Sequence, residues 1–208
     1  MIDTFGADTA LLLIDVQRGV DQLEHWGGPT GRRNNPAAED NLALLLAAWR
    51  DAARPVVFTT HDSREEASPL KVHLASGALK PGLESRNGEE VVTKSTNGAF
   101  FGTDLELRLR RRSVTRLVVV GFFTNMCVET TVRSAGNLGY DTYMCPDACA
   151  TTNRVGPDGR DHDPELVHTM SVASLHGEFC TALSSADAIG LLNEPNLGLQ
   201  RVQGNEPN

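Results

Sequence analysis

The chain holds only four cysteines in 208 residues, Cys127, Cys145, Cys149 and Cys180. That is too sparse for a disulfide framework and points to a reducing, cytoplasmic setting. Long apolar runs are also missing. The longest, Leu42 to Trp49, falls far short of the roughly 20 residues that cross a bilayer, so no membrane partner is expected. No secretory leader is legible, since the first basic residue is Arg18 and the early run Ala10 to Ile14 stops at Asp15. Positive charge is scarce: 19 Lys and Arg against 27 Asp and Glu leave a net charge of −8. A phosphate backbone would be repelled, which excludes nucleic acid as the expected partner. The one basic run, Arg108, Arg110, Arg111 and Arg112, lacks interleaved aromatics and reads as a helix end, where cations offset the dipole. No repeat, low-complexity tract or G-x-G-x-x-G fingerprint follows the first apolar run, so no dinucleotide cofactor is expected.

What remains is a globular composition, 40% hydrophobic and 22% charged. Short apolar strand patterns alternate with helical ones, the sign of βαβ units. Strands are expected at 10–15, 55–60, 90–93, 116–121, 140–145 and 179–183. Helices are expected at 36–53, 103–111, 125–138, 164–176 and 184–192, with Gly139 as a stop signal. The expected fold is a single-domain, doubly wound (Rossmann-like) α/β structure. Its mainly parallel six-stranded sheet carries helices on both faces, over residues 1–192, with a polar tail at 193–208. Two segments exceed what such units need. Residues 19–35 hold four glycines and read as a loop or lid, and 61–89 is a long connection of the kind that is functional or disordered.

In a doubly wound sheet, ligands gather at the carboxyl ends of the strands. Three reactive side chains sit at such ends: Asp15 after the first strand, Lys94 after the third, and Cys127 in the helix after the fourth. Singly, each has an ordinary explanation: a turn aspartate, a solvated lysine, a buried structural cysteine. Together they form a constellation. A carboxylate near a thiol can take its proton, an ammonium beside both favours the anions, and a helix start lowers a thiol's pKa and offers N–H groups to an oxyanion.

The motifs Leu12-Leu13-Ile14-Asp15-Val16-Gln17, Val92-Thr93-Lys94 with Asn97 to Phe100, and Gly121-Phe122-Phe123-Thr124-Asn125-Met126-Cys127-Val128 resemble the isochorismatase-like cysteine hydrolases. The match runs in order over roughly Ala10 to Leu192. The resemblance implies that Asp15 is the general base, Lys94 the third triad member and Cys127 the nucleophile. It also implies a cis peptide between Phe122 and Phe123, and an oxyanion hole of the Phe123 and Cys127 backbone N–H groups. A homo-oligomer and a small-molecule amide substrate follow from it too, as does hydrolysis of a C–N bond through a thioester.

Trp26, Phe100 and Phe122 could line an apolar substrate pocket or serve as packing. No metal is expected: His61-Asp62-Ser63 does not match the Asp-x-His ligand set of the family's nicotinamidase branch, and His61 reads as lining a pocket or anchoring a loop. Cys145 and Cys149 form one isolated pair, where zinc sites use two, and read as strand-end cysteines. Three alternatives stay open: an isochorismatase-type ether hydrolase, a branch that by the resemblance lacks the nucleophilic cysteine; a non-catalytic binding or assembly protein; and a thiol redox protein using Cys145 and Cys149.

Overall fold

A computed structural model describes residues 4–193; the part of the expected polar tail beyond Asn193 lies outside them. In chain order the elements begin with β1 (Thr9–Ile14), α1 (Leu23–Gly27), α2 (Ala38–Asp51), β2 (Val56–His61), β3 (Glu90–Lys94), α3 (Leu105–Arg111) and β4 (Arg116–Phe122). There follow α4 (Glu129–Asn137), β5 (Asp141–Ala150), β6 (Arg154–Val155), β7 (Asp161–His162), α5 (Pro164–Leu175), β8 (Thr181–Ala182) and α6 (Ser185–Asn193). Six strands form one sheet in the order β3-β2-β1-β4-β5-β8, and every pairing within it is parallel. No helix among the described residues is long and apolar enough to cross a membrane.

β1 is the central strand and all six of its residues are buried, as a parallel strand covered on both faces must be. Leu42, Leu45, Leu46 and Trp49 of α2 recur at helical spacing and are all buried. Burial of such side chains stabilises the fold by roughly 1.5–3 kcal/mol each. Trp49 and Tyr143 both contact Phe5, with ring centroids 5.9 and 5.1 Å away. At the end of α4, Gly139 takes a φ of +84° and its N–H donates to the Gly136 carbonyl. It is the stop its sequence position suggests. The basic residues Arg108, Arg110 and Arg111 fall in the last turn of α3.

Several boundaries differ from expectation. β5 runs on through Ala150, because its pairing with β4 is interrupted by a register shift between Val119 and Gly121. Pro146 lies in that irregular stretch, where a missing N–H costs no ladder bond. Cys145 and Cys149 therefore lie within a strand, not at strand ends. The last strand of the sheet shortens to Thr181–Ala182. The helix expected from 125 begins as a π-turn over Thr124–Val128 and becomes α-helical at Glu129. Residues 19–35 are not a plain loop: they hold α1 and 3₁₀ turns at Arg18–Asp21 and Gly28–Thr30. The two-stranded β6–β7 ribbon is antiparallel and was not foreseen.

Strand order reverses between β1 and β4, and the backbones approach closely there. Gly121 of β4 has a φ of +123°, and a Cβ on it would lie 2.2 Å from the Ile14 carbonyl oxygen. Gly121→Ala would place methyl against backbone that cannot yield without moving the Asp15 turn. It should destabilise the protein by about 3 kcal/mol or more, measured by urea unfolding. A loss under about 0.5 kcal/mol, the usual range of a neutral surface change, would contradict this contact.

Candidate active site

The carboxyl ends of β1, β2 and β3 and the turn after β4 converge on one cavity of about 190 Å³. Asp15 follows β1 with a φ of +51°, a left-handed conformation uncommon outside glycine but tolerated by Asp. The conformation is held from both sides. Its N–H donates to Thr59 Oγ1 at 3.1 Å, and its carbonyl accepts from the Gln17 N–H at 2.7 Å. Gln17, fully buried, joins this end of β1 to β2: it accepts from the His61 N–H at 2.7 Å and donates to the Gly77 carbonyl at 2.8 Å.

The Asp15 carboxylate is shielded from solvent, with a partner on each oxygen. Thr59 Oγ1 donates to Oδ1 at 2.6 Å, and Lys94 Nζ donates to Oδ2 at 2.6 Å. Lys94 spends its other two N–H bonds on His61 Nδ1 at 3.0 Å and the Thr96 carbonyl at 3.1 Å. Burial disfavours the lysine's charge, but the Asp15 carboxylate foremost outweighs it and holds the ammonium above the ordinary lysine range. His61 moves the other way: burial, reinforced by Lys94, lowers its pKa against the pull of Asp15. An ammonium can only donate, so the neutral ring accepts at Nδ1 and carries its proton on Nε2.

Cys127 sits in the π-turn after β4, and its Sγ lies 3.8 Å from Asn97 Oδ1. One donor atom each from Asp15, His61 and Cys127 falls within 4.8 Å of the others. Burial foremost, then the Asp15 carboxylate, push the thiol well above the usual cysteine range despite Lys94. The helix-start lowering expected from sequence is thus overridden, and the resting group is a neutral thiol beside a carboxylate and an ammonium. The same three atoms could in principle hold a metal. However, the Lys94 ammonium donates to both Asp15 Oδ2 and His61 Nδ1, so a second cation there would meet its positive charge, and the set does not fit a metal while that lysine is in place.

The peptide between Phe122 and Phe123 is cis. Phe122, Phe123 and Trp26 lie on the cavity wall, with Trp26 5.1 Å from Phe123 and anchored through its Nε1–H to the Gly19 carbonyl at 2.9 Å. Behind the wall, Arg33 and Lys80 lie 5.4 and 5.6 Å from the Phe122 ring, their charges balanced by shared contacts to Glu39 and Asp21. Phe100 is a correction: it stacks on Tyr140 at 5.8 Å, and the cavity wall is built without it. Gln17 and Asn97 fall within the sequence motifs but carry no assigned role there, and Thr59 lies outside the motifs. Thr59 and Gln17 carry a signal, as polar residues inside otherwise apolar strand-end patterns, but only the fold shows what they bond.

A family model described as an isochorismatase domain matches residues 9–187. The isochorismatase family protein YrdC of Bacillus subtilis is 35% identical over 180 residues, spanning 86% of this chain and 94% of that protein. A ureidoacrylate amidohydrolase, RutB of Variovorax paradoxus, is 28% identical and covers 68% of each chain. The crystal structure of an isochorismatase-family protein from Chromobacterium violaceum superposes with a TM-score of 0.84. It is 41% identical and covers 92% of this chain and 98% of its own.

Thr59 offers a direct check on the carboxylate's surroundings. Thr59→Val keeps the shape but removes a donor to a buried charge, at an expected cost of about 1.5–3 kcal/mol in urea unfolding. Thr59→Ser should recover most of it. Equal stability of the valine and serine variants would mean that the hydroxyl does not hold Asp15.

Proposed function

This chain belongs to the isochorismatase family of hydrolases, and from that membership we propose that it is an amidohydrolase. It would cleave a C–N bond in a small amide through a thioester on Cys127. The observation that supports this most is the meeting of Asp15 and Cys127 on one cavity wall, with Lys94 paired to Asp15 behind it, from three separate strand ends. The likeness to a ureidoacrylate amidohydrolase points to the same reaction class.

The mechanism follows from the protonation states. Because burial keeps the thiol neutral at rest, sulfur cannot wait as a thiolate and needs a base at the moment of attack. Asp15 takes the S–H proton as Sγ bonds to the carbonyl carbon. Charge then develops on the carbonyl oxygen, and the backbone N–H groups of Phe123 and Cys127 are assigned to receive it. Lys94 holds Asp15 in place and offsets the negative charge near the sulfur, so the carboxylate acts without leaving its pair. When the C–N bond breaks, Asp15 returns the proton to the leaving nitrogen, and an amine or ammonia departs. A water molecule, deprotonated by the same carboxylate, then attacks the thioester. The acid leaves, and the sulfur recovers a proton from Asp15.

Cys127→Ala should lower turnover of an amide by at least about a thousandfold, with urea unfolding still cooperative. Intact-mass spectra of the wild type under turnover should show a covalent acyl adduct that the variant lacks, and dialysis against EDTA should leave the wild-type rate unchanged. Release of amine or ammonia separates this reading from ether cleavage. Undiminished activity in Cys127→Ala would overturn it.

A further inference from the structure

The charge on the cavity wall restricts what can enter. Among the described residues, the ionisable side chains lining it are Asp15, His61, Glu65 and Cys127, and the remainder includes Val20, Trp26, Leu70 and Met126. No lysine or arginine is among them. Lys94 lies behind Asp15 with a fully buried side chain, and its three N–H bonds all have partners, so it has none left for a ligand. Two cations in the neighbouring loop are turned to other acceptors: Lys71 donates to the Ser63 carbonyl at 2.8 Å and Arg64 to Ser95 Oγ at 3.2 Å. Burial and Lys94 keep His61 neutral, and its Nε2–H is a donor without charge. Glu65 stands at the mouth with a side chain 64% exposed, and His25 Nε2 lies 3.9 Å from its carboxylate.

A ligand anion would therefore lose its water with no cation to replace it, and would meet one uncompensated carboxylate on the way in. We propose that the site takes small carbonyl compounds bearing no negative charge, uncharged carboxamides or ureides with an apolar body, and rejects carboxylate-bearing ones. Trp26, Phe123, Leu70 and Met126 would cover the apolar part, and Ser63, Ser68 and Asn97 would supply neutral hydrogen-bonding groups. This deepens the amidohydrolase reading by naming the charge class of its substrate, but it depends only on access to Cys127, not on turnover.

Iodoacetamide and iodoacetate are alkylating agents of nearly equal size, one neutral and one anionic at pH 7.5. Their rates at Cys127 in the intact protein, read by peptide mass spectrometry, are compared with their rates on free 2-mercaptoethanol. The neutral reagent should be preferred by about tenfold or more beyond that reference, as expected for an unpaired charge brought near a carboxylate in a low-dielectric site. Glu65→Gln should narrow the preference, and Glu65→Lys should close or invert it. A preference no greater than the reference, or a Cys127 that even iodoacetamide does not reach, would overturn the proposal. A preference unchanged in Glu65→Lys would overturn the part given to Glu65. Charge-selective alkylation in a protein that hydrolyses no neutral amide would support this inference while removing the amidohydrolase reading.

Discussion

An ion pair inside apolar surroundings is favourable only when its protons and oxygens are engaged, since each buried charge loses several kcal/mol of hydration. Asp15 and Lys94 are held in this way: both side chains are essentially inaccessible and 2.6 Å apart. All three ammonium protons and both carboxylate oxygens are engaged, through Thr59, His61 and the Thr96 backbone, and the carboxylate keeps lone pairs that can accept a proton. Those partners come from β1, β2 and β3 and the loop beyond, so satisfying the pair fixes how the three strand ends align. A slip of one residue in any of them would turn Thr59 or Lys94 to the opposite face of the sheet and strand a charge. The site and the sheet's register are thus one constraint.

The same requirement explains why the long connection after β2 is ordered. Its residues 78–80 run along 16–18, with the Arg18 N–H on the Ala78 carbonyl and the Lys80 N–H on the Val16 carbonyl, both at 2.9 Å. That closes water off from the back of the Asp15 turn. It also brings Lys80 to Phe122, beside Arg33. Glu39 between these two cations is held below the ordinary carboxylate range, their attraction outweighing the burial that opposes it. One cavity wall is therefore braced by charges that never face the substrate side.

How much could be read beforehand depends on the range of the signal. Asp15, Lys94 and Cys127 were legible because each ends or follows a strong apolar run, and a parallel sheet brings such ends together whatever lies between. Gly139 was legible because a helix stop is local. Sequence patterning ends β5 at residue 145, and only the shift in its pairing with β4 shows how the strand carries Pro146 and runs on. Phe100 follows Lys94 closely in sequence, yet the turn there sends it to Tyr140 rather than to the cavity. The thiol's proton affinity depends on the range of the signal in the same way. A helix start is visible in sequence, whereas the burial and the facing carboxylate that outweigh it come from distant segments. Thr59, on a different strand from Asp15, owes its role wholly to register.

The central claim is that carboxylate, ammonium and thiol work as one unit, and a double-mutant cycle tests it most directly. kcat/KM would be measured for Asp15→Asn, Lys94→Ala and the double variant, each checked for cooperative unfolding. Residues that act as a unit lose most of their effect together, so the double variant should be hardly worse than the poorer single one. Losses that multiply, as for independent residues, would contradict the shared site.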